Sequence, residues 1–504
     1  MDTIRLKTLF SPTQVLATDG DPETPVTSIC TDSRRVSRGA VFFAMSGTRT
    51  DGHHYIEEAI DRGAAAIVSE LPGRHHCNAA WVRVRDVRKA LADAARRYHG
   101  NPQRELGIVG VTGTNGKTTV TYLTKYLLEK AGNVRTGLLG TVQYDLGERT
   151  LPAHRTTPDS AELYAMLGQM RDAGCRRVAM EVSSHGIDQH RVDGIPFTVA
   201  CFTNLTQDHL DYHGDMETYF GVKARLFSGN AGSEPPKNAV INVDDPYGRR
   251  LMAVIPRGTP VLTYGIERYA DFKAEDVRLG PSGVEFRLVY PGGTAAVRSV
   301  LPGLYNVSNL LAAIANASVL GVDPAAAAAA LEGFRGVPGR MERVSGSDGF
   351  AIFVDYAHTD DALRNALGML RGITRSRLIV VFGCGGNRDR NKRPLMVKAV
   401  QEFADYSIAT ADNPRHEALE QIFADMRSGV DPAKADRIGF VESRRRAIGL
   451  AIDACREGDV LLIAGKGHET YQEIQGTVHP FDDRSVAREL LEIKRLARGG
   501  QMGK

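Results

Sequence analysis

Apolar and polar positions alternate in blocks along the chain, and the blocks differ between three stretches. The first stretch ends near Arg104 and contains the apolar runs "GAVFFAM", "GAAAIVSE" and "AWVRV", with helical spacing over Val87–His99. Short apolar runs bounded by glycine predict buried strands, and apolar positions three and four apart predict an amphipathic helix. The following "NPQREL" is typical of a linker. We predict an N-terminal α/β domain over residues 1–104.

The second stretch, residues 105–336, opens with the apolar run Gly107–Val111 and then alternates strand-like and helical segments. Its strand-like runs include "RRVAMEVSS", "FTVACFTNL" and "NAVINV". Such alternation predicts a mainly parallel sheet with helices on both faces. Asp323-Pro324 before a run of alanines predicts the start of a helix, because proline suits the first helical position.

The third stretch, residues 337–504, repeats this pattern with "FAIFVDYA", "RLIVVFG", "YSIATAD" and "DVLLIAGKG". Each apolar strand ends in polar residues, and ligands of open α/β sheets bind at the carboxyl ends of strands. The predicted fold is therefore α/β, with a central domain of the phosphate-loop type flanked by an N-terminal α/β domain and a C-terminal Rossmann-like domain.

Composition mainly argues against certain partners and sites. The 504 residues include 63 basic and 60 acidic side chains, so the net charge of +3 gives no indication of nucleic acid or a membrane surface as a partner. The six cysteines lack metal-binding spacing, and no apolar run is long enough to span a bilayer. The N-terminus does not resemble a signal peptide. We expect a monomeric protein of the reducing cytoplasm.

The clearest chemical motif is "GIVGVTGTNGKTT", Gly107 to Thr119, in which an apolar strand leads through a glycine-rich turn into a helix. Glycines let backbone N–H groups face phosphate oxygens, Lys117 adds positive charge, and Thr118 can hold Mg²⁺. The standard loop would have glycine at position 111, where this chain has Val111, and its first loop glycine is Gly113. No N-K-x-D motif follows, which argues against a GTPase switch.

The string "TGTNGKTT" resembles the variant loop of the ATP-dependent Mur ligases, the amide-forming enzymes of peptidoglycan precursor synthesis. Further stretches in all three predicted domains extend this resemblance over essentially the whole chain, and they narrow it to members that add the third amino acid. The resemblance implies that ATP is bound by Gly113, Thr114, Asn115, Gly116, Lys117, Thr118 and Thr119, with Asn306 and Asn309 near adenine, Arg340 and Asp355 at the phosphates or ribose, and His358 close by.

The resemblance also implies a magnesium centre. Glu181, in "MEVSSHGIDQHRVDG", matches a magnesium ligand, and carboxylate oxygens suit this hard cation. His209, in "NLTQDHLDYHG", matches a ligand of a second Mg²⁺. Lys223 follows Tyr219 by one helical turn and, taken alone, is typical of a solvated lysine. The family carries a carbamylated lysine there, since an amine of lowered pKa can react with carbon dioxide and become an anion. The implied catalytic residues are Lys117, Glu181, His209 and Lys223, and the implied metal ligands are Thr118, Glu181, His209 and carbamylated Lys223.

A third set of residues is implied for the UDP-linked peptide substrate. The segment "TDSRRVSRGAVFFAMSGTRTDGHHY" resembles the part of the family that holds uridine, and "RTTPDS" resembles the part that holds the muramoyl side. Arg191 suits phosphate or carboxylate because of its planar fork. Arg155 stands where the family has asparagine, so that role is not transferred. The implied set is Thr31, Ser33, Thr48, Arg49, Thr50, Thr156, Thr157, Ser183, Gln189 and Arg191.

The string "TADNPRHE", Thr410 to Glu417, consists of turn formers and would ordinarily be a turn. In the family, members that add meso-diaminopimelate carry Asp-Asn-Pro-Arg here, and members that add lysine differ. Diaminopimelate is lysine with a second carboxylate. Arg415 can bind that carboxylate through two bonds, and Asn413 can both donate and accept. A lysine substrate would leave the guanidinium unpaired, so we expect discrimination on the order of 10³ or more.

The full set implied for diaminopimelate is Arg388, Asp412, Asn413, Pro414, Arg415, Gly465 and Glu469, with Arg388 at a carboxylate and Glu469 at the amine end. Near Arg388 the chain departs from the family at two places, with Asn387 for aspartate and Asn391 for glycine. After "DYAHT" it has Asp360 where the family has proline, which we interpret as one turn residue replacing another.

The resemblance implies an ATP- and Mg²⁺-dependent ligase. The expected reaction joins meso-diaminopimelate to UDP-MurNAc-L-Ala-D-Glu through an acyl phosphate, which favours closure of the third domain over the central one because water would hydrolyse that intermediate. Three alternatives stay open: a lysine-adding ligase of the same family, a ligase like folylpolyglutamate synthase, and a nucleotide switch without catalysis. A ligase like folylpolyglutamate synthase would lack "DNPR" and the uridine-type first domain.

Overall fold

The structure is a computed structural model that describes residues 4–47, 50–73, 78–229, 234–280, 282–345 and 348–501. The chain divides into two compact units. Unit 1 comprises Met1–Glu275, Leu288–Ala295 and Ser308–Ala330, and unit 2 comprises Asp276–Arg287, Ala296–Val307 and Leu331–Lys504. Across the part of the chain that the structure describes, no helix combines the length and the apolar character needed to cross a bilayer.

Unit 1 begins with a five-stranded sheet and two helices: β1 (Val15–Asp19), β2 (Ser28–Cys30), β3 (Ala40–Phe43), α1 (Ile56–Asp61), β4 (Ala66–Ser69), β5 (Ala80–Val84) and α2 (Val87–Tyr98). The strand order is β1-β5-β4-β3-β2, and only β1 is antiparallel. Val41 and Phe43 pack into one core while Ala40 and Phe42 pack into another. The strand is therefore covered on both faces, as its continuous apolar run predicted.

The linker prediction for "NPQREL" is wrong in detail. Pro102–Arg104 forms a 3₁₀ helix in which Pro102 and Gln103 are buried. Proline suits the first position of such a turn, because its missing N–H would have had no helical partner there. The segment is thus part of the packed structure.

The elements that follow in the chain are β6 (Gly107–Thr112), α3 (Lys117–Lys130), β7 (Thr136–Leu139), β8 (Gln143–Asp145), β9 (Thr150–Pro152), α4 (Ser160–Asp172), β10 (Arg177–Glu181), α5 (Ser184–Asp188), β11 (Val199–Phe202), α6 (Leu210–His213), α7 (Met216–Ser228), β12 (Ala239–Asn242), α8 (Pro246–Leu251), β13 (Val261–Gly265), β14 (Phe272–Gly280), β15 (Gly283–Tyr290), β16 (Gly293–Ser299), α9 (Leu304–Val319) and α10 (Pro324–Ala330). Helix α10 begins at Pro324 as predicted, and Asp323 caps it by accepting from the N–H of Ala326.

Strand β6 lies at the centre of the second sheet, whose order in unit 1 is β13-β12-β11-β6-β10-β7-β8-β9. Strands β7, β10, β6, β11, β12 and β13 are parallel, which confirms the predicted parallel sheet. Val111 of β6 pairs with Glu181 of β10, and Thr112 pairs with Phe202 of β11. The carboxyl ends of these three strands therefore meet at one edge of the sheet, where ligands of open α/β sheets bind.

Unit 2 contains the third sheet, built from β17 (Glu342–Arg343), β18 (Ala351–Asp355), α11 (Asp360–Ile373), β19 (Leu378–Cys384), α12 (Lys392–Phe403), β20 (Tyr406–Ala411), α13 (Leu419–Arg427), β21 (Ile438–Val441), α14 (Arg444–Ala454), β22 (Val460–Ala464) and α15 (Asp483–Gln501), with a separate hairpin β23 (Tyr471–Ile474) and β24 (Thr477–Pro480). The sheet order is β17-β18-β22-β19-β20-β21, parallel from β18 to β21. Along β19, Val380 and Phe382 join one core and Ile379 and Val381 the other. Helices therefore cover both faces, as predicted.

The departure at Asp360 has a local explanation. Asp360 is the first residue of α11, and Thr359 caps that helix by accepting from the N–H of Ala362. Proline is favoured at the first helical position, and an acidic side chain is favoured there by the helix dipole. Asp360 is therefore a helix-starting residue rather than a turn residue.

Candidate functional site

The loop from Gly113 to Gly116 joins β6 to α3 and needs glycine at both ends. Gly113 has φ of +146° and Gly116 has φ of +87°. A Cβ on Gly113 would lie 1.9 Å from Oγ1 of Thr203, and a Cβ on Gly116 would lie 2.4 Å from Oδ1 of Asn309. The standard phosphate loop has glycine at position 111, but here Val111 is a buried residue inside β6 and the loop begins only at Gly113. Valine is therefore compatible with this position.

Asn204 holds the first half of this loop. Its carbonyl accepts from the N–H of Thr114 (2.9 Å), and its side-chain oxygen accepts from the N–H of Asn115 (2.9 Å). Helix α3 then begins at Lys117 and the buried Thr118, so the positive end of its dipole lies at this loop. A loop of this form is suited to anionic phosphate oxygens.

Two lysines converge on the loop. Nζ of Lys117 donates to the carbonyls of Gly113 (2.8 Å) and Thr114 (2.7 Å), and Nζ of Lys223 donates to the carbonyl of Gly113 (3.0 Å). The side chain of Lys223 is almost fully buried, and its Nζ lies 4.7 Å from the ring centre of Tyr219. Burial, reinforced by the charge of Lys117, lowers the pKa of Lys223 well below its ordinary value. The interpretation of Lys223 as a solvated lysine is therefore wrong.

His209 belongs to the same group. Its backbone has φ of +54° at the start of α6, and its ring centre lies 6.4 Å from that of Tyr219. Burial lowers the pKa of His209, and the charges of Lys117 and Lys223 act in the same direction. The imidazole is thus favoured in its neutral form, the form that binds metal ions.

Glu181, at the end of β10, is buried and held in a fixed orientation. One carboxylate oxygen accepts from the N–H of Thr141 (2.8 Å) and the other from its hydroxyl (3.1 Å). Among the described residues, no three His, Cys, Asp or Glu side chains form a ready metal cage. Glu181 therefore offers one fixed carboxylate, and proteins usually hold Mg²⁺ through one or two carboxylates together with substrate phosphates.

A cavity of ≈ 780 Å³ lies between the first and second sheets of unit 1. It is lined by Thr31, Ser33, Thr50, Gln189 and Arg191 from the predicted substrate set. The predicted Thr157 and Ser183 are connected to it through hydrogen bonds, because Arg191 donates to the carbonyl of Thr157 (2.8 Å) and the Thr157 and Ser183 hydroxyls are 3.0 Å apart. The predicted Thr156 instead contacts the hydroxyl of Thr141 (3.1 Å), which holds Glu181. Thr48 and Arg49 lie outside the described residues.

Sequence reasoning missed three further cations of this cavity. They are Arg34, which is paired with Asp32, Arg88 of α2, and Arg155, the residue whose role was not transferred. Burial lowers the pKa of Arg191, and Arg155 and Arg88 add to the effect through charge repulsion. Three guanidinium groups close enough to repel each other suit an anion with several negative oxygens, such as a diphosphate. On its own, Arg88 resembles any polar position of an amphipathic helix.

In unit 2, Asp355 ends β18 and is fixed by the N–H groups of Met341 (2.7 Å) and Ala357 (2.9 Å). Burial raises its pKa, and the nearby Arg340 opposes that shift. The guanidinium of Arg340 lies 4.7 Å from the ring centre of Tyr356, whose carbonyl contacts the ring of His358 (2.8 Å). The structure therefore brings the predicted Arg340, Asp355 and His358 together.

The two predicted asparagines of α9 differ in their surroundings. Asn306 is buried and donates to the carbonyl of Pro302 (2.7 Å), which secures the first turn of the helix. Asn309 faces Gly116 of the phosphate loop.

The residues predicted for diaminopimelate gather at the carboxyl ends of β19, β20 and β22. Arg415 has φ of +55°, and the hairpin holds its backbone, because its N–H donates to the carbonyl of Glu473 (3.0 Å) and its carbonyl accepts from Gln475 (2.6 Å). Its guanidinium donates to the carbonyl of Gly386 (2.8 Å), and Nε lies 3.4 Å from Oε2 of Glu473. The expectation of a guanidinium left unpaired without a second substrate carboxylate is therefore wrong.

Asn413 also has partners inside the protein. Its Oδ1 accepts from Nζ of Lys466 (3.1 Å) and from the N–H of Glu473 (3.0 Å), and its Nδ2 donates to Oε2 of Glu469 (2.9 Å). The expected acceptor role toward the substrate thus needs correction, because Oδ1 already has two donors. The amide instead connects β20, β22 and the hairpin.

The remaining predicted residues frame this group. Oδ1 of Asp412 accepts from the N–H of Asn413 (2.8 Å). Oδ2 is buried, has no hydrogen-bond partner among the described residues, and would lie 2.7 Å from a Cβ on Gly465. The carbonyl oxygen of Pro414 packs against Gly386, and it would lie 1.8 Å from a Cβ on that glycine. A Cβ on Gly385 would lie 3.1 Å from a terminal guanidinium nitrogen of Arg415 and 3.8 Å from Cγ of the exposed Arg388.

The two asparagine departures are compatible with this geometry. Asn387 has φ of +52°, a conformation that asparagine tolerates well, and its Oδ1 accepts from the N–H of His416 (3.1 Å). Asn391 precedes α12, and its N–H donates to Asp389 (2.9 Å). The loop of Arg388 is therefore fastened to the loop of Arg415 despite both changes.

Three residues that support this site were missed from the sequence. Lys466 contacts Asn413 and Glu469, and Glu473 contacts Arg415. The buried Arg393 binds both carboxylate oxygens of Glu417 (2.7 Å each), and its guanidinium also lies 3.3 Å from the carbonyl of Gly385. "GKGHE" and "KRP" contain two of them, but the partners are distant in sequence.

Three Mur ligase family models match the chain: the family's catalytic domain over residues 25–99, its middle domain over 111–317 and its glutamate ligase domain over 339–467. The chain belongs to the Mur ligase family. The three matched segments fit the three-domain α/β fold that was predicted, while the boundaries after residues 104 and 336 stay a prediction.

Named relatives within the family are similar over nearly the full length. A UDP-N-acetylmuramoyl-L-alanyl-D-glutamate–2,6-diaminopimelate ligase of Geobacter metallireducens is 46% identical over 486 residues, covering 93% of this chain and 94% of the relative. The ligase of the same name from Gloeobacter violaceus is 46% identical over 501 residues, covering 99% and 100%. A solved structure of an enzyme with this name shares 36% identity and a TM-score of 0.70, covering 98% of this chain and 99% of that one.

Proposed function

We propose that the chain is an ATP-dependent ligase that joins meso-2,6-diaminopimelate to the D-glutamate side-chain carboxylate of UDP-MurNAc-L-Ala-D-Glu. The observation that carries the proposal is the pair of arginines, Arg388 and Arg415, that border Gly385 at the carboxyl ends of β19 and β20. Two arginines on one loop edge, with the carboxylate of Glu473 next to Arg415, suit an amino acid that has carboxylates and amines at both ends. The near full-length relatives of that name support the same assignment.

The proposed reaction has two steps. The D-glutamate carboxylate oxygen attacks the γ-phosphorus of ATP, the bond to the bridging oxygen breaks, and ADP leaves with an acyl phosphate as product. The neutral amine of diaminopimelate then attacks the acyl carbon, and phosphate leaves as the amide forms and the amine loses its proton. In this scheme Lys117 offsets negative charge on the transferring phosphoryl group.

The Mg²⁺ ions of the proposal would be held by Thr118, Glu181, His209 and a carbamate on Lys223. When bound, Mg²⁺ neutralises charge on the phosphates during transfer. The fit rests on the fixed carboxylate of Glu181 and on the buried amine of Lys223, which loses its proton far more readily than an exposed lysine. A neutral amine can add to carbon dioxide and release a proton, which would turn Lys223 into an anionic carbamate. A protonated Lys223 beside Lys117 would repel the metal, whereas the carbamate would attract it.

The cavity of unit 1 is proposed to hold the UDP-linked substrate. Arg88, Arg155 and Arg191 provide positive charge for the diphosphate, and Thr31, Ser33 and Thr50 provide polar contacts at the other side. Since its substrates are soluble precursors, the enzyme is proposed to act as a cytoplasmic monomer.

Phosphate release from ATP tests the proposal directly. The protein is incubated with ATP, Mg²⁺ and UDP-MurNAc-L-Ala-D-Glu, together with meso-diaminopimelate, L-lysine or no amino acid. Release with formation of the tripeptide product only in the diaminopimelate reaction is the expected result. Equal use of lysine would leave a ligase of this family but refute the proposed selectivity for diaminopimelate. ATP binding without release in any reaction would favour the folylpolyglutamate synthase-like ligase or the switch.

A further inference from the structure

Lys466 is a buried lysine that the proposed reaction does not use. It follows β22, and its side chain is 0% exposed. Its Nζ donates to Oε2 of Glu469 (2.9 Å) and to Oδ1 of Asn413 (3.1 Å), and it lies 5.4 Å from the ring centre of Tyr471. Burying an ammonium group is costly unless its donors find acceptors, and here the acceptors belong to two residues of the candidate amino-acid site.

The contacts of Lys466 determine which atoms of these residues remain available. Lys466 and Asn413 both contact Oε2 of Glu469, and among the described residues no hydrogen bond to Oε1 is found. The amide of Asn413 is oriented in the same way, because Lys466 and the N–H of Glu473 both donate to Oδ1. Lys466 therefore fixes one carboxylate and one amide at once.

We propose that Lys466 is a positioning residue that sets the affinity of the site for the amino-acid substrate without touching it. By holding Oε2 of Glu469, it directs Oε1 toward the substrate ammonium. By holding Oδ1 of Asn413, it keeps Nδ2 on Glu469 rather than letting the amide turn over. The inference rests on the proposed function, since it concerns the diaminopimelate site of that reaction.

A positioning role predicts a selective kinetic effect. Lys466→Met keeps the length of the side chain and removes its donors. The KM for diaminopimelate should rise about 10- to 100-fold, the range for losing a hydrogen bond to a charged group, while the KM values for ATP and the UDP-linked substrate change less than about 2-fold. Lys466→Gln retains a donor and should show a smaller rise, so it replaces the methionine variant if that variant does not fold.

Lys494→Met is the matched control. Lys494 donates to the carbonyls of Ile452 and Asp453 and lies 5.2 Å from the ring centre of Phe350, so it is another lysine with backbone and aromatic contacts. Its replacement should leave the KM for diaminopimelate unchanged. Equal rises in all three KM values for the Lys466 variants, or a loss of thermal stability with no change in KM, would overturn the positioning role.

A double-mutant cycle with Glu469→Gln tests whether Lys466 acts through Glu469. In the Glu469→Gln background, Lys466→Met should add less than about 3-fold to the KM for diaminopimelate. If the KM for diaminopimelate of the double variant rises by the product of the two single-variant increases, the two residues act independently and the inference is refuted. Absence of diaminopimelate-dependent phosphate release by the unaltered protein would instead refute the proposed function, so the two failures are distinguishable.

Discussion

Nε of Arg415 lies 3.4 Å from Oε2 of Glu473, so the arginine expected to select diaminopimelate already has an anionic partner in the protein. The pair is half-buried, and Arg415 also donates to the carbonyl of Gly386. In the proposed function, the substrate's second carboxylate would bind Arg415 in addition to Glu473, and not an arginine that lacks an anionic partner.

Replacing Arg415 with methionine should weaken and broaden substrate use. We expect kcat/KM for diaminopimelate to fall about 100-fold or more, because a charge-assisted bidentate contact is lost. The preference over L-lysine should narrow as well, since Glu473 would be left to attract the lysine ammonium. Phosphate release with each amino acid measures both effects.

Glu473→Gln is the companion variant. It should keep the preference for diaminopimelate, with changes of less than about 5-fold, because partly exposed ion pairs contribute little. An unchanged ratio of diaminopimelate to lysine use in Arg415→Met would rule out Arg415 as the selector.

Lys117→Ala should remove catalysis without unfolding the protein. The side chain crosses the phosphate loop to the carbonyls of Gly113 and Thr114, and loss of such a cation from phosphoryl transfer costs about 10²-fold or more in kcat. Lys130→Ala, at the exposed end of the same helix, should retain normal phosphate release. A Lys117 variant with an ordinary rate would exclude its assigned role.

Lys223 should carry a carbamate under working conditions. With ¹³C-labelled bicarbonate, the unaltered protein should show a carbamate carbon signal by NMR that is missing in Lys223→Met, and the variant should lose activity about 100-fold or more. An identical signal in both proteins would place the carbamate elsewhere.

The unmodified amine of Lys223 should have a pH signature. Between its lowered folded-state pKa and the ordinary value of 10.5, the unfolded chain binds a proton at Lys223 that the folded chain does not. With carbon dioxide excluded, Lys223→Met should be more stable than the unaltered protein at neutral pH, and the gap should close as the pH rises toward 10.5. Denaturant titration at several pH values measures the gap, and a gap that widens with pH would contradict the assignment.

Asp425 should stabilise unit 2 in a pH-dependent way. Hydrogen bonds from Arg390, followed by those from Arg393, hold its pKa at about 2. Asp425→Asn should lower the free energy of unfolding by about 1–2 kcal/mol at pH 7, because a charge-assisted contact is lost. The difference should shrink as the pH falls from the ordinary 3.8 through 2, where the carboxyl group becomes protonated.

Asp436→Asn, an exposed change in the same unit, should have no comparable effect on unfolding. A difference between Asp425→Asn and the unaltered protein that is constant across pH 2–7 would show that the carboxylate charge is not the cause.

Sequence patterns were sufficient for the buried strands, because runs such as residues 378–384 are apolar throughout. They did not predict the partly exposed β14, β15 and β16. They also located the phosphate loop and "DNPR", since a glycine turn before Lys-Thr and the family resemblance mark those segments directly. The partners of these residues were not predictable in the same way. Lys223 resembles any helical lysine until the fold places it under Gly113, and Glu473 resembles any exposed hairpin residue until the hairpin pairs with Arg415.

The hairpin of β23 and β24 has a consequence for transferring amino-acid preference between relatives. Backbone bonds join Arg415 to residues 473 and 475, and Asn413 takes its orientation from residues 466, 469 and 473. The tetrapeptide "DNPR" and the segment 465–475 therefore form one structural unit, and the two segments have to be exchanged together. Grafting the tetrapeptide alone onto another scaffold would transfer its four residues but not the contacts from segment 465–475 that orient their side chains.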